Sequence, residues 1–449
     1  MISLEEAKKQ APWAETLPTG WRLGRLKSVA SIRYGLGQPP AGLESGVAMI
    51  RATDVDAGTI RTEKLLRVDP LELPEGRNSY LKAGEIIVVR SGAYTGDSAI
   101  IPPDLEGAVA GYDMVVTASS SSSHFIAYCL LSRHVLDDQI HLLTLRAAQP
   151  HLNAQELGSV VLTLPPTRRE QDMIAAHLDA SSAAIDAAAA VKRRQLETLN
   201  ALCKAIIQRA VTRGLSESVV LETTGNTWLK SIPRSWKLVC LKRIAEIQGG
   251  LTLGKQYEGL LIERPYLRVG NVQDGHLDLE DVSVIELPES VAAGVELRPD
   301  DVLMTEGGDL DKLGRGHLWN GEIAGCLHQN HIFAVRCFRH KLAPRFLSYV
   351  TAAKYGRDYF EATGKKTTNL ACTNATKVGE FPIPLPSLEE QKAICDHLDK
   401  RLGEIKRIAD AIEAQITILS AYRKSLIHEC VTGQRRVTEV GLSQVKVHG

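Results

Sequence analysis

Two long stretches of the chain carry apolar residues in steps of three, four and seven. In the first they are Ile174, Leu178, Ile185, Ala188, Leu199, Leu202 and Ile206; in the second they are Ile394, Leu398, Ile405, Ile412, Leu419 and Leu426. This spacing predicts long helices with a narrow apolar stripe of coiled-coil type. From Arg168 the first stretch contains no Gly or Pro until Gly214, and it is rich in good helix formers. Thr167 and Ser387 are placed as N-caps, with Glu170 and Glu390 at capping-box spacing. About 45 residues at 1.5 Å each make a rod of roughly 65 Å. A stripe that long needs a partner. The expected partner is the other long helix, and an antiparallel pair would hold two globular heads apart. The alternative is that each helix packs on its own head.

Elsewhere the pattern is one of short β-branched runs bounded by turn residues: GEIIVVRSG, DMVVTAS, HIFAVRC and GSVVLTLPP. These read as strands. Short helices are predicted over His124–Ser132 and Arg345–Ala353. The predicted fold class is therefore α+β: two mixed α/β heads and two long helices, arranged as an internal repeat with pseudo-twofold character. The expected division is an N-terminal segment 1–16, a first head 17–166, a first long helix 167–213 and a polar, turn-rich surface linker 214–231. A second head 232–386, a second long helix 387–436 and a tail 437–449 follow.

The repeat is visible residue by residue. LPTGWRLGRLKSVASIRYG (17–35) resembles IPRSWKLVCLKRIAEIQGG (232–250), with Trp21 on Trp236 and Gly35 on Gly250. Arg51, Val55 and Gly58 fall on Arg268, Val272 and Gly275, and LKAGEIIVVRSG (81–92) falls on LRPDDVLMTEGG (297–308). LPPTRREQDMIAAHLD (164–179) falls on PLPSLEEQKAICDHLD (384–399), aligning Gln171 with Gln391, His177 with His397 and Asp179 with Asp399. Solenoid repeats have periods of about 20–50 residues. This unit is far longer, so the reading is a duplicated pair of domains.

Composition narrows the class. The 449 residues carry 53 Lys plus Arg and 53 Asp plus Glu, with 44% hydrophobic residues. That is a globular composition, and its zero net charge argues against indiscriminate polyanion binding. No apolar run reaches the ~20 residues of a membrane helix. Met1–Gly20 lacks the apolar core of a secretory signal. Eight scattered cysteines without CxxC fit a reducing, cytoplasmic setting better than a disulfide framework.

Catalytic signals are weak. GGLTLGKQ (249–256) matches part of a phosphate loop, but Gln256 stands where Ser or Thr should reach the metal, so a tight turn after a strand is expected. Cys326, His328 and His331 have no Cys or His counterparts in the first half, and no metal site is expected. GxSxG, a GxGxxG after a strand and the Asn-Pro-Pro-aromatic tetrapeptide are all missing from the sequence. His177 and His397 lie beside the heptad seam, where a structural role is expected. The chain reads as a binder without catalysis of its own.

The doubled segments LPTGWRLGRL and IPRSWKLVCL, LPPTRREQ and LPSLEEQ, in the order head, helix, head, helix, resemble the specificity subunit of type I restriction–modification enzymes. The linker AVTRGL…GNTWLKSIPRSW (210–236) is similar to that family's interdomain connection. The resemblance implies two target recognition domains, each reading half of a bipartite, asymmetric site in double-stranded DNA. It implies that the helix pair sets the spacer and docks two modification subunits. Those would carry S-adenosylmethionine and methylate adenine, while restriction subunits would use ATP and Mg to cleave unmodified DNA. The competing class is a non-catalytic protein-interaction scaffold with duplicated ligand-binding heads.

On this reading the candidate DNA-binding residues are polar loop positions that differ between the copies, because base readout favours Arg, Lys, Asn and Gln. In the first head they are Arg90, Ser91, Tyr94, Thr95, Arg146 and Gln149; in the second they are Lys312, Arg315, Lys365, Lys366, Thr367, Thr368 and Asn369. Arg51 and Arg268 recur in both copies and are expected to be scaffold residues beside a turn.

Overall fold

The computed structural model describes residues 17–38, 40–74, 79–144, 151–273, 275–308, 313–366 and 371–438. The chain divides into two compact units, and the division cuts through both long helices. One unit comprises the chain up to Arg193 together with the stretch from Glu413; the other is Arg194–Ile412. Each unit therefore contains one head, the start of that head's own helix and the end of the other helix.

The first head is built on a four-stranded antiparallel sheet in the order Ala30–Tyr34, Met114–Ala118, Ile86–Val88, Ser98–Ile100. A smaller sheet runs Leu66–Val68, Val47–Ile50, Val109–Ala110, with one antiparallel and one parallel pairing. The second head repeats both. Its main sheet is Ala245–Gly249, Ile332–Cys337, Val302–Thr305, Gly316–Leu318, and its smaller sheet is Ser283–Leu287, Ile262–Leu267, Leu327–His328. The predicted short helices occur over Ser123–Leu131 and Pro344–Ala352. Each main sheet buries one charged pair. Glu85 is held by the Arg33 guanidinium at 2.6 and 2.7 Å and by the Thr117 hydroxyl at 2.8 Å. Burial alone would raise the Glu85 pKa, but Arg33, the Lys82 N–H and Thr117 outweigh it and hold the carboxyl below its ordinary value. In the second head Asp301 takes this role, at 3.0 Å from Arg336. There the arginine has moved to the neighbouring strand.

The long helices run over Arg168–Arg213 and Leu388–Val431. Their starts are tied to their own heads by the same contacts in both copies. The Thr167 and Ser387 hydroxyls accept the Glu170 and Glu390 N–H groups, each at 3.2 Å, as the caps predict. The two glutamate side chains do something the capping box does not anticipate. Each accepts an indole N–H, from Trp21 at 2.9 Å and from Trp236 at 3.0 Å. Gln171 and Gln391 are buried, and their side-chain oxygens accept the N-cap N–H of the head's short helix, from Ser122 at 2.9 Å and Ala343 at 2.8 Å. Tyr128 and Tyr349 add hydroxyl donors to Asp179 and Asp399.

The helix ends meet the same tryptophans. Gly214 closes the first long helix at φ +74°, and its α-carbon faces the Trp236 ring and the Glu390 carboxylate. Gly433 closes the second at φ +76°, against Pro18 and the Trp21 ring. A side chain at either glycine would be strained in the left-handed region and would press on the ring. The start of each long helix packs on its own head and on the end of the other long helix. One core joins Ile174, Ala175 and Leu178 to Phe125 and Leu162 of the first head and to Leu426, Ile427, Cys430 and Val431 of the second helix. The other joins Ile394, Cys395 and Leu398 to Phe346 and Phe381 of the second head and to Ala210 and Val211 of the first helix.

Two expectations need correction. Leu202 is 44% exposed and lies off the stripe; the covered positions step through Leu199, Cys203, Ile206 and Ala210 instead. The segment 214–231 is more than a surface linker. Leu221–Thr223 pairs antiparallel with Ser231–Pro233. The Asn226 side chain accepts the N–H groups of Trp228 and Leu229 to close the turn, which directs Leu229 and Trp228 into the second head's core.

Leu178→Ala or Leu398→Ala removes a fully buried side chain and is expected to cost about 2–5 kcal/mol. Leu202→Ala should stay within about 0.5 kcal/mol. Urea unfolding of the three variants checks the assignment, and equal costs would contradict the seam described here.

Candidate nucleic-acid interface

Beyond the strand Ile86–Val88 the first head's chain reaches Arg90, whose carbonyl accepts the Leu152 N–H at 2.8 Å. Ser91 and His151 form the adjacent bridge. In the second head the Glu306 carbonyl accepts the Thr373 N–H at 2.7 Å, and Gly307 and Gly308 pair with Cys372 and Ala371. Lys365, which is exposed, pairs with Cys372 on the other side. In each head the chain just past this core strand is thus bonded to a second segment, His151–Leu152 in the first head and Ala371–Thr373 in the second. Arg146, Gln149, Lys312, Thr367, Thr368 and Asn369 lie outside the described residues. So does the side chain of Lys366, whose backbone continues the Lys365 strand.

Arg90 is the centre of the first head's edge. Its guanidinium carbon sits 4.7 Å from the ring centroid of Tyr34 and 4.3 Å from that of Tyr112. Both rings are substantially solvent-exposed, at 41% and 40%. The Arg90 Nη2 lies 3.0 Å from His151 Nε2, and the Arg90 backbone N–H donates to Asp113 at 3.1 Å. The Tyr34 hydroxyl accepts the Ala154 N–H at 2.9 Å, which fixes that ring. Burial lifts the Asp113 pKa to about 6, against the opposing pull of the Arg90 N–H and charge.

The second head has different chemistry at the same place. Tyr34 and Val88 flank Met114, as Gly249 and Met304 flank Phe333. Two residues past Val88 is Arg90; two past Met304 is Glu306. A ring is replaced by glycine and a cation by an anion. Glu306 accepts from, or pairs with, His331 Nδ1 at 2.9 Å. The edge here opens into a cleft of about 740 Å³ lined by Arg268, Asn271, Asp281, Gly308, His331 and Cys372. Arg268 donates to Asp281 at 2.7 Å. Arg51 in the first head instead turns back on Asp54 at 3.1 Å. Both arginines stand beside the expected turn, but Arg268 also faces the cleft.

Among the other candidates, Tyr94 is 49% exposed and Ser91 is half-buried. Thr95 points inward, only 4% exposed, and its hydroxyl donates to the Gly92 carbonyl; it shapes the turn and offers nothing to a ligand. Arg315 is half-buried, and its carbonyl accepts the Thr305 N–H at 3.1 Å. Gly249–Gln256 leads from the strand Ala245–Gly249 through a turn to the strand Ile262–Leu267. Cys326 and His328 are buried, and His328 Nδ1 lies 3.0 Å from the Val295 carbonyl. Among the described residues no group of three or more His, Cys, Asp or Glu could hold a metal. Among them too, no helix is long and apolar enough to cross a membrane. Sequence reasoning missed Tyr34, Tyr112, Asp113, His151 and Glu306. Tyr34 was accessible in principle, since it precedes the repeated Gly35 where the other copy has Gly249.

Residues 69–198 match the family model of the type I restriction modification DNA specificity domain. A chain from a solved structure concerning complex assembly and conformational transition of the type I R-M system shares the fold. Its TM-score is 0.69 at 19% identity, over 92% of this chain and 98% of that one. The MjaX specificity subunit assigned to a putative type I restriction enzyme of Methanocaldococcus jannaschii is 26% identical over 47% of this chain, and the match spans about half of that relative, 49%. The Escherichia coli type I restriction enzyme EcoKI specificity subunit is 23% identical over 90% of this chain and 86% of its own length. Residues 69–198 thus carry the likeness to a type I DNA specificity domain. Over most of its length the chain is similar to specificity subunits of type I restriction–modification systems.

Asp113 gives a pH test of the site. Its pKa is raised in the folded state from an ordinary 3.8 to about 6, so the fold favours the protonated form. That contribution is fully present below about pH 4 and is lost as pH rises through 6. Asp113→Asn is therefore expected to unfold at higher temperature than the native chain at pH 7.5, by at most roughly 3 kcal/mol, with the gap closing by pH 4. Melting curves across that range check it; a gap independent of pH would place the cost elsewhere.

Proposed function

We propose that the chain is the DNA-reading subunit of a type I restriction–modification complex and that each head reads one half of a bipartite, asymmetric site. The observation that carries this reading is the pair of matched edges. One sheet framework presents Arg90 between two tyrosines in the first head, and Glu306 with His331 beside a cleft in the second. Like frames with unlike rims are what two different half-sites require, since base edges are told apart by the donors and acceptors that meet them. The long helices act as an antiparallel coiled-coil pair that sets the unspecified gap and gives the molecule its twofold character. Support comes from the covered heptad positions and from the packing, in each unit, of the start of one helix with the end of the other. A stiff spacer is the physical means of holding two readers a fixed number of base pairs apart.

Two modification subunits dock on the helices, bring S-adenosylmethionine and methylate adenine in each half-site. Restriction subunits bring ATP and Mg and cleave unmodified DNA. This chain contributes binding and registration, and no bond-making step is assigned to its residues. Phosphate contacts shared with the partners make zero net charge workable.

Mapping of methylated adenines in DNA from cells with and without the chain tests the proposal. The expected result is one chain-dependent motif with two specified halves and a constant gap. In vitro, binding of the complex to that duplex should weaken steeply as salt rises. A methylation pattern indifferent to the chain would reject the reading.

A further inference from the structure

Within that DNA-reading function, we propose that the residue two places past Val88 in the first head, and past its counterpart Met304 in the second, is a specificity-determining contact. Arg90 in the first head would read a guanine, and Glu306 in the second would read an exocyclic amino group of cytosine or adenine. The inference rests on the reading above and on a geometry that a mere phosphate contact would not need.

An arginine that neutralises phosphate works as a charge on a flexible stem. Arg90 is held instead. Tyr34 and Tyr112 stack on it at 4.7 and 4.3 Å, and His151 Nε2 fixes one amino group at 3.0 Å. Tyr34 is itself pinned by the Ala154 N–H at 2.9 Å. The rings lie against the guanidinium and its Nε is buried, so the terminal Nη groups are the donors it can present. A flat donor pair in a fixed plane matches guanine O6 and N7. The two exposed rings are positioning residues: they set the plane in which the fork meets a base pair.

The second head supplies the independent observation. At the matched position a phosphate-binding role would keep a cation, yet the chain places Glu306, whose carboxylate is engaged by His331 at 2.9 Å. A carboxylate near a DNA backbone is unfavourable unless it meets a donor. The donors a duplex offers in its major groove are the amino groups of cytosine and adenine. The opposite charges at the same position thus fall under one role, base reading, and not under two unrelated ones.

The test uses the full chain expressed with its modification partner in a host lacking adenine methylation, with methylated adenines mapped genome-wide. The native chain should give a bipartite motif with a G·C pair in the half read by the first head. Arg90→Ala and Arg90→Lys should both relax that position alone, with discrimination falling on the order of 10- to 100-fold. Tyr112→Leu should relax the same position more weakly, and Glu306→Gln should alter one position in the other half only. Persistence of the untouched half-site shows that each variant folds. An unchanged motif with Arg90→Lys would overturn the inference, whether Arg90→Ala lowers methylation everywhere or abolishes it, because charge alone would then suffice. A native motif with no G·C pair in the first half would also overturn it. Absence of any bipartite motif with the native chain would instead sink the function on which it rests.

Discussion

In each unit one tryptophan fixes how the two long helices meet the head. Trp21 and Trp236 each donate an indole hydrogen bond to a glutamate in the first turn of their own head's long helix. Each also receives on its ring the glycine that ends the other long helix. A single side chain thus couples the start of one rod to the end of the other. Indole suits the task because it combines a large apolar face with one directional donor. The glutamate gains as well, since a carboxylate in the first turn of a helix is favoured by the helix dipole. The buried glutamines complete the junction by capping the head's short helix. Buried amides that find partners for both ends add rigidity, whereas unpaired ones would cost about 1–3 kcal/mol each.

This junction accounts for what the sequence displayed. Part of the repeat was legible because some of its matched residues form the junction: Trp, Glu, Gln and Asp recur because each makes the same bond twice. The long helices were legible from their apolar spacing and caps, and the strands from β-branched runs. Two features were not. The glutamates at capping-box spacing turned to the indoles, a choice that depends on residues about 150 positions away in sequence. The seam passes through Cys203 and Ala210 and leaves Leu202 in water. Hydrophobicity ranks Leu202 above both neighbours, but the helical phase decides which side faces the partner.

The rim was the hardest part to read. Arg90 could be picked out as a polar loop residue that differs between the copies. Its tyrosine neighbours could not, because Tyr34 and Tyr112 come together only when the strands Ala30–Tyr34 and Met114–Ala118 pair. Thr95 shows the converse error: a polar residue in a polar loop whose hydroxyl is spent on the turn. In loops, polarity alone does not separate residues that shape the backbone from residues offered to a ligand. Burial and partner decide, and both are tertiary facts.

The two heads also show how a frame can stay constant while its rim diverges. Inside, the charged pair is kept even when the arginine changes strand, Arg33 with Glu85 in one head and Arg336 with Asp301 in the other. A buried carboxylate without its cation would be strongly destabilising, so any drift in this pair must be compensated nearby. At the rim no such constraint acts. There Tyr34 stands where the second head has Gly249, and Arg90 where it has Glu306, beside strands paired in the same way in both heads. Stability is therefore concentrated in residues the two copies share, and chemical individuality in residues they do not. For a protein proposed to read two unlike sequences with one architecture, that separation lets either rim change while Trp21 and Trp236 each keep the helix junction of their own unit.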